Sequence, residues 1–404
     1  MKVLFAHRVF PGQFNHLVQY LSRDNRHTVK FLAYQLHEEP PAAVQVVRYQ
    51  PSRAAHDTTH PCVMSSESAV LFGQAAYRAA AQLKLQGFEP DVIFGHSGWG
   101  PTLYLRDLFP KAIFLGYFEW FYRARGSSHG FHPNIPLTPE FEQQIRTKNV
   151  PILLDLTAAQ AGITPTHWQR QQFPAEYRHK IEVIHDGVDT DFFSPARQDL
   201  HLPRLGLDLR GKRQIVTYVA TGMEPMRGFP EFMKMASWLQ RRFPHCEVVV
   251  VGEDRTEYSN PLASGKTYRQ LMLELFPYDM GRLHFTGRLS LEEYRQVLQA
   301  SAVHVYLTFP FILSWSALEA MSCGCLVVGS ATPPVQEVIQ DKTNGLLADF
   351  FDVRGLAERV AMVLDNPAAF DFLRENARET VLQKYDSRLM LERQLNFVQQ
   401  RGNL

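Results

Sequence analysis

The sequence places three polar residues at the start of a predicted helix, where Ser314, Ser316 and Glu319 follow the loop 308–313. Free backbone N–H groups and the positive end of the helix dipole at such a start suit a diphosphate. A carboxylate one turn further in could accept hydrogen bonds from both ribose hydroxyls, as acidic residues do in dinucleotide sites. Taken alone, Ser316 and Glu319 also match a plain capping box. These residues predict a nucleotide diphosphate site, with helix capping as the alternative.

Two glycine-containing loops follow predicted strands in the first half of the chain. Gly12 would let the backbone approach a diphosphate at a helix start. His96 lies in the segment 95–100, whose glycine spacing is wrong for a dinucleotide fingerprint, so nicotinamide binding is not indicated. We interpret His96 as a functional residue, and the alternative is a structural histidine whose hydrogen bonds are satisfied.

A cluster of aromatic residues over 117–122 surrounds Glu119 and precedes Arg123. Aromatic faces with a few polar anchors suit a sugar or a lipid-linked acceptor. Core packing explains most of these aromatic side chains equally well. We therefore predict only Glu119 and Arg123 as acceptor-binding residues.

Positioning these residues requires strands that alternate with helices. Short β-branched runs alternate with stretches of helical period, which is typical of an α/β fold with parallel sheets covered on both faces. The predicted strands are 3–6, 28–33, 44–49, 91–94 and 112–117 in the first half, and 215–220, 247–251, 283–285, 303–307 and 326–329 in the second. Helices are predicted over 67–86 and, at the C-terminus, over 353–365, 368–383 and 387–400.

The segment 195–213 is rich in Pro, Gly, Arg and Asp and has little periodicity, which indicates a domain boundary near Pro195. We predict an N-terminal domain over 1–195 and a C-terminal domain over 196–385, both doubly wound and Rossmann-like. Residues 386–404 form a final helix that could cross back over the first domain. Ligands of such sheets bind beyond the carboxyl ends of the strands, so we expect the two domains to face each other across a cleft that holds the site.

The composition excludes several classes of protein. With 42 basic and 41 acidic residues, the chain has a formal net charge of only +1, and it has no long basic run. It therefore lacks the positive electrostatic field that would attract nucleic acid. The first strand is too short for the apolar region of a signal peptide, and no apolar stretch approaches the roughly 20 residues of a membrane span. The four cysteines lack zinc-type spacing. We therefore expect a cytoplasmic protein with reduced thiols, no metal, and at most a peripheral contact with the membrane.

The stretch 301–349 resembles the donor-binding signature of the family-4 retaining glycosyltransferases, which have the GT-B fold. A Leu-Glu-Ala-Met helix precedes Cys-Gly, a strand, and an acidic turn ahead of Asn-Gly. The matching residues are Leu318, Glu319, Ala320, Met321, Gly324, Glu337, Asn344 and Gly345. The segment 310–321, PFILSWSALEAM, is similar to the corresponding segment of a bacterial subgroup of this family. In that subgroup an aromatic or apolar residue, here Phe311, replaces a first glutamate near the donor sugar.

The resemblance implies roles for individual residues. Glu319 would bind the donor ribose, and the backbone amides of Ile312, Leu313 and Ser314 would hold the donor sugar and the distal phosphate. The family places an arginine and then a lysine or arginine after the first strand of the second domain, to neutralise the leaving diphosphate. Arg227 fits the second place, against the alternative of a solvated loop arginine, while uncharged Thr221 or Gly222 occupies the first. The family also places a histidine at the strand end occupied here by His96, close to the donor sugar.

The function implied by the resemblance is retaining transfer of a hexose-type sugar from a nucleotide diphosphate sugar to a glycan, glycolipid or small-molecule acceptor. Synthesis of cell-surface polysaccharide or glycoconjugate is the expected setting. The triplet Asp189-Thr190-Asp191 invites a metal interpretation, which we reject because the resemblance assigns it to the interdomain linker. Two alternatives stay open: a non-catalytic nucleotide-sugar-binding subunit, motivated by Phe311 and Thr221, and an epimerase or phosphorylase on the same fold.

Overall fold

A computed structural model describes residues 1–196 and 199–402, and within it the chain divides into two compact units. The first unit contains Met1–Gly187 together with the C-terminal segment that starts at Ser387, and the second unit extends from Val188 to Asp386.

The first unit is built around a parallel sheet of seven strands in the order β5-β3-β1-β6-β7-β8-β9. Its elements are β1 (Lys2–Ala6), β2 (Val9–Phe10), α1 (Asn15–Ser22), β3 (Thr28–Ala33), β4 (Gln35–Leu36), β5 (Val44–Arg48), α2 (Pro61–Leu85), β6 (Val92–His96), α3 (Leu105–Leu108), β7 (Ile113–Tyr117), α4 (Pro139–Thr147), α5 (Val150–Ala158), β8 (Ala161–Thr164), α6 (His167–Gln172) and β9 (Ile181–Val183). Strands β2 and β4 pair separately as a short parallel ribbon.

Helices cover both faces of this sheet because successive side chains of each strand point to opposite faces. In β1, Val3 and Phe5 pack into one apolar cluster, while Leu4 and Ala6 pack into another. The first cluster includes residues of α1, and the second includes residues of α2 and α5. Burial on both faces explains why the strands are almost continuously apolar.

The second unit repeats this plan with six parallel strands in the order β14-β13-β12-β15-β16-β17. Its elements are β10 (His201–Leu202), β11 (Leu207–Asp208), β12 (Ile215–Gly222), α7 (Phe229–Arg242), β13 (Glu247–Glu253), α8 (Tyr268–Leu275), β14 (Leu283–Gly287), α9 (Leu291–Ala300), β15 (Val303–Tyr306), α10 (Trp315–Ser322), β16 (Val327–Ser330), α11 (Pro333–Gln336), β17 (Leu346–Ala348), α12 (Val353–Asp365) and α13 (Asp371–Lys384). Strands β10 and β11 form a small antiparallel pair. The predicted α/β class with two Rossmann-like sheets is confirmed.

Each sheet has a switch point where the strand order reverses, between β1 and β6 in the first unit and between β12 and β15 in the second. Within each sheet, the two loops that follow these strands lie side by side at its carboxyl edge. Switch points are the usual ligand sites of doubly wound sheets. The loops with Gly12, His96 and Arg227 and the loop 308–313 follow these strands, whereas Glu119 and Arg123 follow β7, the next strand of the first sheet.

The division between the units differs from the predicted boundary near residue 195, because residues 188–195 belong to the second unit. The ring of Phe193 packs into the apolar core of that unit. Arg378 of α13 donates hydrogen bonds of 2.9 Å to the carbonyl oxygens of both Phe193 and Thr190. The described residues of the segment with low periodicity, from 199 to 213, therefore lie inside the second unit and include the short strands β10 and β11.

The last helix, α14 (Ser387–Gly402), belongs to the first unit. Met390, Phe397 and Val398 are buried in the apolar cluster that also contains residues of α1. Removal of these side chains from water fixes the C-terminal segment on the N-terminal sheet. Among the described residues, no helix is long and apolar enough to cross a membrane.

Candidate active site

At the switch point of the first unit, a cavity of about 330 Å³ brings two of the predicted site residues, His96 and Glu119, together. Further side chains around it come from Arg8, Trp99, Tyr122 and Lys148. The cavity thus combines two cations, one carboxylate and aromatic faces. Concave sites with aromatic walls and a few polar anchors are typical of small-molecule binding.

His96 ends β6 and is almost completely buried. Its imidazole ring is stacked between the rings of Trp99 and Tyr117, at centroid distances of 4.1 and 5.1 Å. Nδ1 lies 3.0 Å from the carbonyl oxygen of Ser97, so this nitrogen carries a proton and donates. Nε2 is buried with no hydrogen-bond partner in the described part of the chain, and it lies 3.6 Å from Oε2 of Glu119. The ring is therefore fixed while Nε2 stays available to a ligand.

Asp155 of α5 fixes the loop that follows β6. The hydroxyls of Ser97 and Thr102 each donate a hydrogen bond of 2.8 Å to its carboxyl group. Burial raises the pKa of Asp155 to about 6. Gly100 has φ +103°, and a Cβ atom at this position would lie 2.0 Å from the carbonyl oxygen of Ala69, so close packing on α2 requires glycine here.

Gly12 has a structural role that the sequence alone did not show. It has φ +54° and lies in a 3-10 turn over Gly12–Phe14, where a Cβ atom would be 2.8 Å from Cε1 of the His7 ring. Glycine is thus required at this position to leave room for an imidazole ring. Its predicted contact with a diphosphate remains a prediction.

Arg123 is not brought into the cavity with Glu119. Its Nε donates a 2.7 Å hydrogen bond to the carbonyl oxygen of Gln172, at the end of α6. The residue lines a second hollow of about 730 Å³, together with Arg125 and Glu142. The backbone of α6 holds the guanidinium group of Arg123 outside the cavity that Glu119 lines, and the predicted acceptor contacts of both residues stay predictions.

In the second unit, helix α10 begins as predicted after the loop that follows β15, but its cap differs from the capping-box alternative. Ser314 is the N-cap, and its hydroxyl accepts a hydrogen bond from the N–H group of Ser316. Glu319 lies one turn further in and does not turn back to cap the helix. Its Oε2 accepts a 2.7 Å hydrogen bond from the hydroxyl of Tyr294 in α9. Burial raises the pKa of Glu319 to about 7.

Arg227 is not a solvated loop arginine, because only 8% of it is exposed. Its Nη1 atom donates 2.9 Å hydrogen bonds to the hydroxyl of Thr308 and to the carbonyl oxygen of Ile312. The guanidinium carbon also lies 5.4 and 5.8 Å from the ring centroids of Tyr258 and Phe311. These contacts place a fixed positive charge against the loop that leads into α10.

The backbone amides of that loop divide into two groups. The N–H group of Ser314 donates a 2.7 Å hydrogen bond to the hydroxyl of Tyr306 in this conformation, and its predicted contact with a phosphate stays a prediction. The N–H groups of Ile312 and Leu313 have no hydrogen-bond partner among the residues the structure describes. Two donors and the guanidinium of Arg227 therefore lie on one strand-to-helix connection, an arrangement suited to an anion.

Glu224 is a buried residue of this region that the sequence pattern did not reveal. Its Oε2 accepts hydrogen bonds from the N–H groups of Glu257, Tyr258 and Ser259, at 3.0, 2.9 and 2.7 Å. The held loop packs against Gly222, whose Cβ would lie 2.6 Å from the carbonyl oxygen of Arg255. A longer side chain does not fit at Gly222, so the arginine that the family places in this loop has no room at that position.

Replacement of Glu224 by alanine should lower the free energy of unfolding by about 3 kcal/mol, because three partly buried N–H groups lose their charged acceptor. It should also weaken nucleotide binding, since the held loop carries Tyr258 against Arg227. Urea unfolding followed by fluorescence measures the first effect. Glu253→Ala is the control, because that carboxylate pairs with half-exposed Arg255 and its loss should change stability by less than about 0.5 kcal/mol. Equal losses in the two variants would contradict the structural role of Glu224.

The triplet at 189–191 forms a turn. Oδ1 of Asp189 accepts hydrogen bonds from the N–H groups of Asp191 and Phe192, at 3.1 and 3.0 Å. In the described residues, no group of three or more His, Cys, Asp or Glu side chains is arranged to hold a metal ion. Binding of the donor without metal remains a prediction.

The fold and the strand-to-helix loops define the GT-B class, and solved structures share this fold. Sucrose-phosphate synthase from Thermosynechococcus elongatus matches with a TM-score of 0.73 at 17% identity, over 99% of this chain and 98% of that one. HepE from Anabaena in complex with UDP and glucose matches with a TM-score of 0.68 at 15% identity, over 99% and 100%. A UDP-forming trehalose-phosphate synthase from Burkholderia xenovorans matches with a TM-score of 0.70 at 14% identity, over 98% of both chains.

Two family models match consecutive parts of the sequence. The glycosyl transferase family 4 group matches residues 25–193, and the glycosyl transferases group 1 matches residues 206–380. The chain belongs to these glycosyltransferases. The D-inositol 3-phosphate glycosyltransferases of Mycolicibacterium smegmatis and Mycobacteroides abscessus are 28% and 26% identical to it over 244 and 188 residues, or 59% and 46% of this chain. The matches span 51% and 39% of those relatives, about half of their length or less.

Proposed function

We propose that the chain is a retaining, metal-independent hexosyltransferase that moves a sugar from a nucleotide diphosphate donor to an acceptor hydroxyl. The observation that carries this proposal is the convergence on one strand-to-helix connection of Arg227, the N–H groups of Ile312 and Leu313, and Glu319. A fixed cation and two free amides match a diphosphate, and a carboxylate one turn into the helix matches a ribose.

The second unit is proposed to bind the donor. Arg227 would neutralise the negative charge that develops on the leaving diphosphate, a task that a preorganised buried cation performs without reorganisation. Phe311 would line the donor sugar with an apolar face, since its ring packs 5.2 Å from that of Tyr258. UDP is the first nucleotide to test, because HepE was solved in complex with UDP and the Burkholderia synthase is described as UDP-forming.

The first unit is proposed to bind the acceptor in the cavity next to His96 and Glu119. We propose attack of the acceptor on the leaving-group face of the donor, with the departing phosphate taking the proton. In this scheme the protein positions the reactants and stabilises charge, and no covalent carboxylate intermediate is formed. The acceptor would be a glycan, a glycolipid or a small molecule of cell-surface polysaccharide or glycoconjugate synthesis.

A transfer assay tests this proposal. We would measure the release of nucleoside diphosphate from three donors: UDP-glucose, UDP-N-acetylglucosamine and GDP-mannose. The acceptors would be D-inositol 3-phosphate, hexose phosphates and simple hexosides. We expect acceptor-dependent release that is unchanged by EDTA, and a product whose anomeric proton coupling matches that of the donor. Loss of turnover in EDTA would contradict metal independence, and an inverted product would contradict the mechanism.

The same assay separates the alternatives. Consumption of donor that depends on inorganic phosphate would indicate a phosphorylase, and conversion of one nucleotide sugar into another would indicate an epimerase. Nucleotide binding without either chemistry would favour a binding subunit, which the apolar Phe311 and the uncharged Thr221 motivate.

A further inference from the structure

A chain of hydrogen bonds connects the loop after β1 to Glu119 in the cavity. The N–H group of Val9 donates a 2.8 Å hydrogen bond to Nδ1 of His7, so the neutral ring carries its proton on Nε2. Nε2 lies 2.9 Å from Oε1 of Gln13, to which it donates. The Gln13 amide nitrogen then donates a 3.0 Å hydrogen bond to Oε1 of Glu119. Each donor and acceptor in this chain is fixed by the one before it.

The ring of His7 is held in one state. The residue is 3% exposed, and burial holds its pKa well below the usual range of histidine. The ring also packs edge-on against the rings of His96 and Trp99, at centroid distances of 4.8 and 5.2 Å. Since Gly12 must lack a Cβ atom to admit this ring, the local backbone is shaped around His7.

We propose that His7 and Gln13 are positioning residues, which orient the Glu119 carboxylate so that Oε2 lies beside Nε2 of His96 and the two atoms accept hydrogen bonds from two neighbouring hydroxyls of the acceptor. Both atoms are acceptors, because the proton of His96 is on Nδ1, and their separation of 3.6 Å suits neighbouring hydroxyls that each donate to one of them. Oε1 is already occupied by Gln13, so only Oε2 is directed to the ligand. This inference rests on the proposed function for its ligand, but the arrangement itself is testable without a substrate.

Histidine NMR tests the positioning directly. In selectively ¹⁵N-labelled protein, we expect His7 to show the Nε2–H tautomer with no titration between about pH 5.5 and 8. Glu119→Gln should change the Nε2 resonance of His96, and Gln13→Leu should change it in the same direction. The double variant should match Glu119→Gln, because Gln13 acts only through Glu119. An unchanged His96 resonance in Gln13→Leu, or a sum of two independent changes, would overturn the proposal.

Two further variants serve this experiment, one as a control and one as a substitute for Gln13→Leu. Gln19→Leu makes the same substitution on α1, away from the cavity, and should leave the His96 resonance unchanged. If Gln13→Leu fails to fold, Gln13→Met keeps the length of the side chain and removes the hydrogen bonds. A response of His96 to Gln19→Leu would contradict the assignment of the effect to Gln13.

Kinetics then separate positioning from general structural damage. With UDP-glucose and the acceptor that turns over in the transfer assay, Gln13→Leu should raise the acceptor KM about tenfold, as expected for loss of a hydrogen bond to a charged group. The donor KM and the thermal shift produced by UDP should stay unchanged. A parallel loss of the UDP shift would overturn the positioning role. If no acceptor turns over, that result contradicts the proposed function, while the NMR experiment still decides the role of His7 and Gln13.

Discussion

Arg227→Leu should lower kcat/KM for transfer by about 100- to 1,000-fold, the range seen when one preorganised charge-stabilising donor is removed from an active site. Arg227 is held by hydrogen bonds to Thr308 and to the carbonyl oxygen of Ile312, so its charge is fixed before a ligand binds. Leucine fills most of the space but provides no charge to the leaving diphosphate. Arg227→Lys should recover only part of the loss, since an ammonium group lacks the planar fork of a guanidinium. Initial rates at several donor concentrations give kcat and KM separately.

The matched control for this prediction is Arg282→Leu. Arg282 is also an arginine of the second unit with backbone partners, and its guanidinium donates to the carbonyl oxygens of Phe243, Cys246 and Gln240. It directly precedes β14 and so lies at the amino ends of the strands, whereas the candidate site lies at their carboxyl ends. Its loss should lower the melting temperature and leave the affinity for UDP unchanged. An Arg227→Leu protein with normal turnover would contradict the role of Arg227 in the leaving-group site.

Nucleotide binding should weaken as the pH falls through about 7, because the proposed ribose contact requires the carboxylate form of Glu319. The pKa of Glu319 is raised to about 7 by burial, so its carboxylate is progressively protonated below that pH. If only the carboxylate form binds, the dissociation constant should rise about tenfold for each unit below the pKa. Calorimetric titrations of UDP from pH 5.5 to 8.5 measure this dependence. Glu319→Gln should bind weakly at every pH and should lose most of the dependence.

Stability should depend on pH with the opposite sign. The folded-state pKa of Glu319 lies above that of an unfolded glutamate, so the native state binds the proton more tightly. Protonation therefore stabilises the ligand-free fold, and this contribution grows as the pH falls from about 7 toward the unfolded pKa.

Tyr294→Phe removes a hydrogen bond that favours the carboxylate form of Glu319, so the pH profile of UDP binding should shift to higher pH in this variant. A UDP affinity that is independent of pH in the wild type and in Tyr294→Phe would contradict this role of Glu319.

Much of the fold could be predicted because short β-branched runs alternate clearly with stretches of helical period. The structure contains, with nearly the predicted bounds, the strands predicted at 28–33 and 215–220 and the helix predicted at 353–365. Within the two large sheets of the described residues, three strands were missed: β8 (Ala161–Thr164), β9 (Ile181–Val183) and β17 (Leu346–Ala348). Each has three or four residues and therefore carries too little periodicity of its own. These segments form strands because each pairs with a neighbouring strand of the sheet. That pairing is a long-range contact, which the local sequence pattern does not show.

The site residues that the sequence pointed to lie at a strand end or in the connection from a strand into the next helix. His96 ends β6, Arg227 lies in the turn after β12, and Glu319 lies one turn into α10. The missed residues, His7 and Glu224, act through contacts that are absent from the local sequence. Glu224 binds three N–H groups more than 30 residues away, and the Gln13 partner of His7 reaches Glu119 over 106 positions. One signal was available, since His7, Gly12 and Gln13 lie together directly after the first strand.

Arg123 shows what the local sequence does not contain. An arginine next to a cluster of aromatic residues suggests a ligand anchor, and the structure adds hydrogen bonds of 2.7 and 3.3 Å from its guanidinium group to the carbonyl oxygens of Gln172 and Gln171. Arginine side chains often bond the last carbonyl groups of a helix in this way. These contacts depend on the packing of α6 against the segment that follows β7, which the local sequence does not specify.

The central claim is that the second unit binds a nucleoside diphosphate through Arg227, free amides and Glu319. Calorimetric titration of UDP, GDP and ADP into the wild-type protein and Glu319→Ala, in EDTA at pH 8, tests this claim most directly. We expect saturable binding of one of the three nucleotides by the wild type, with loss of at least tenfold in affinity in the variant, about 1.4 kcal/mol. Absence of binding by the wild type, or equal binding by both proteins, would contradict it.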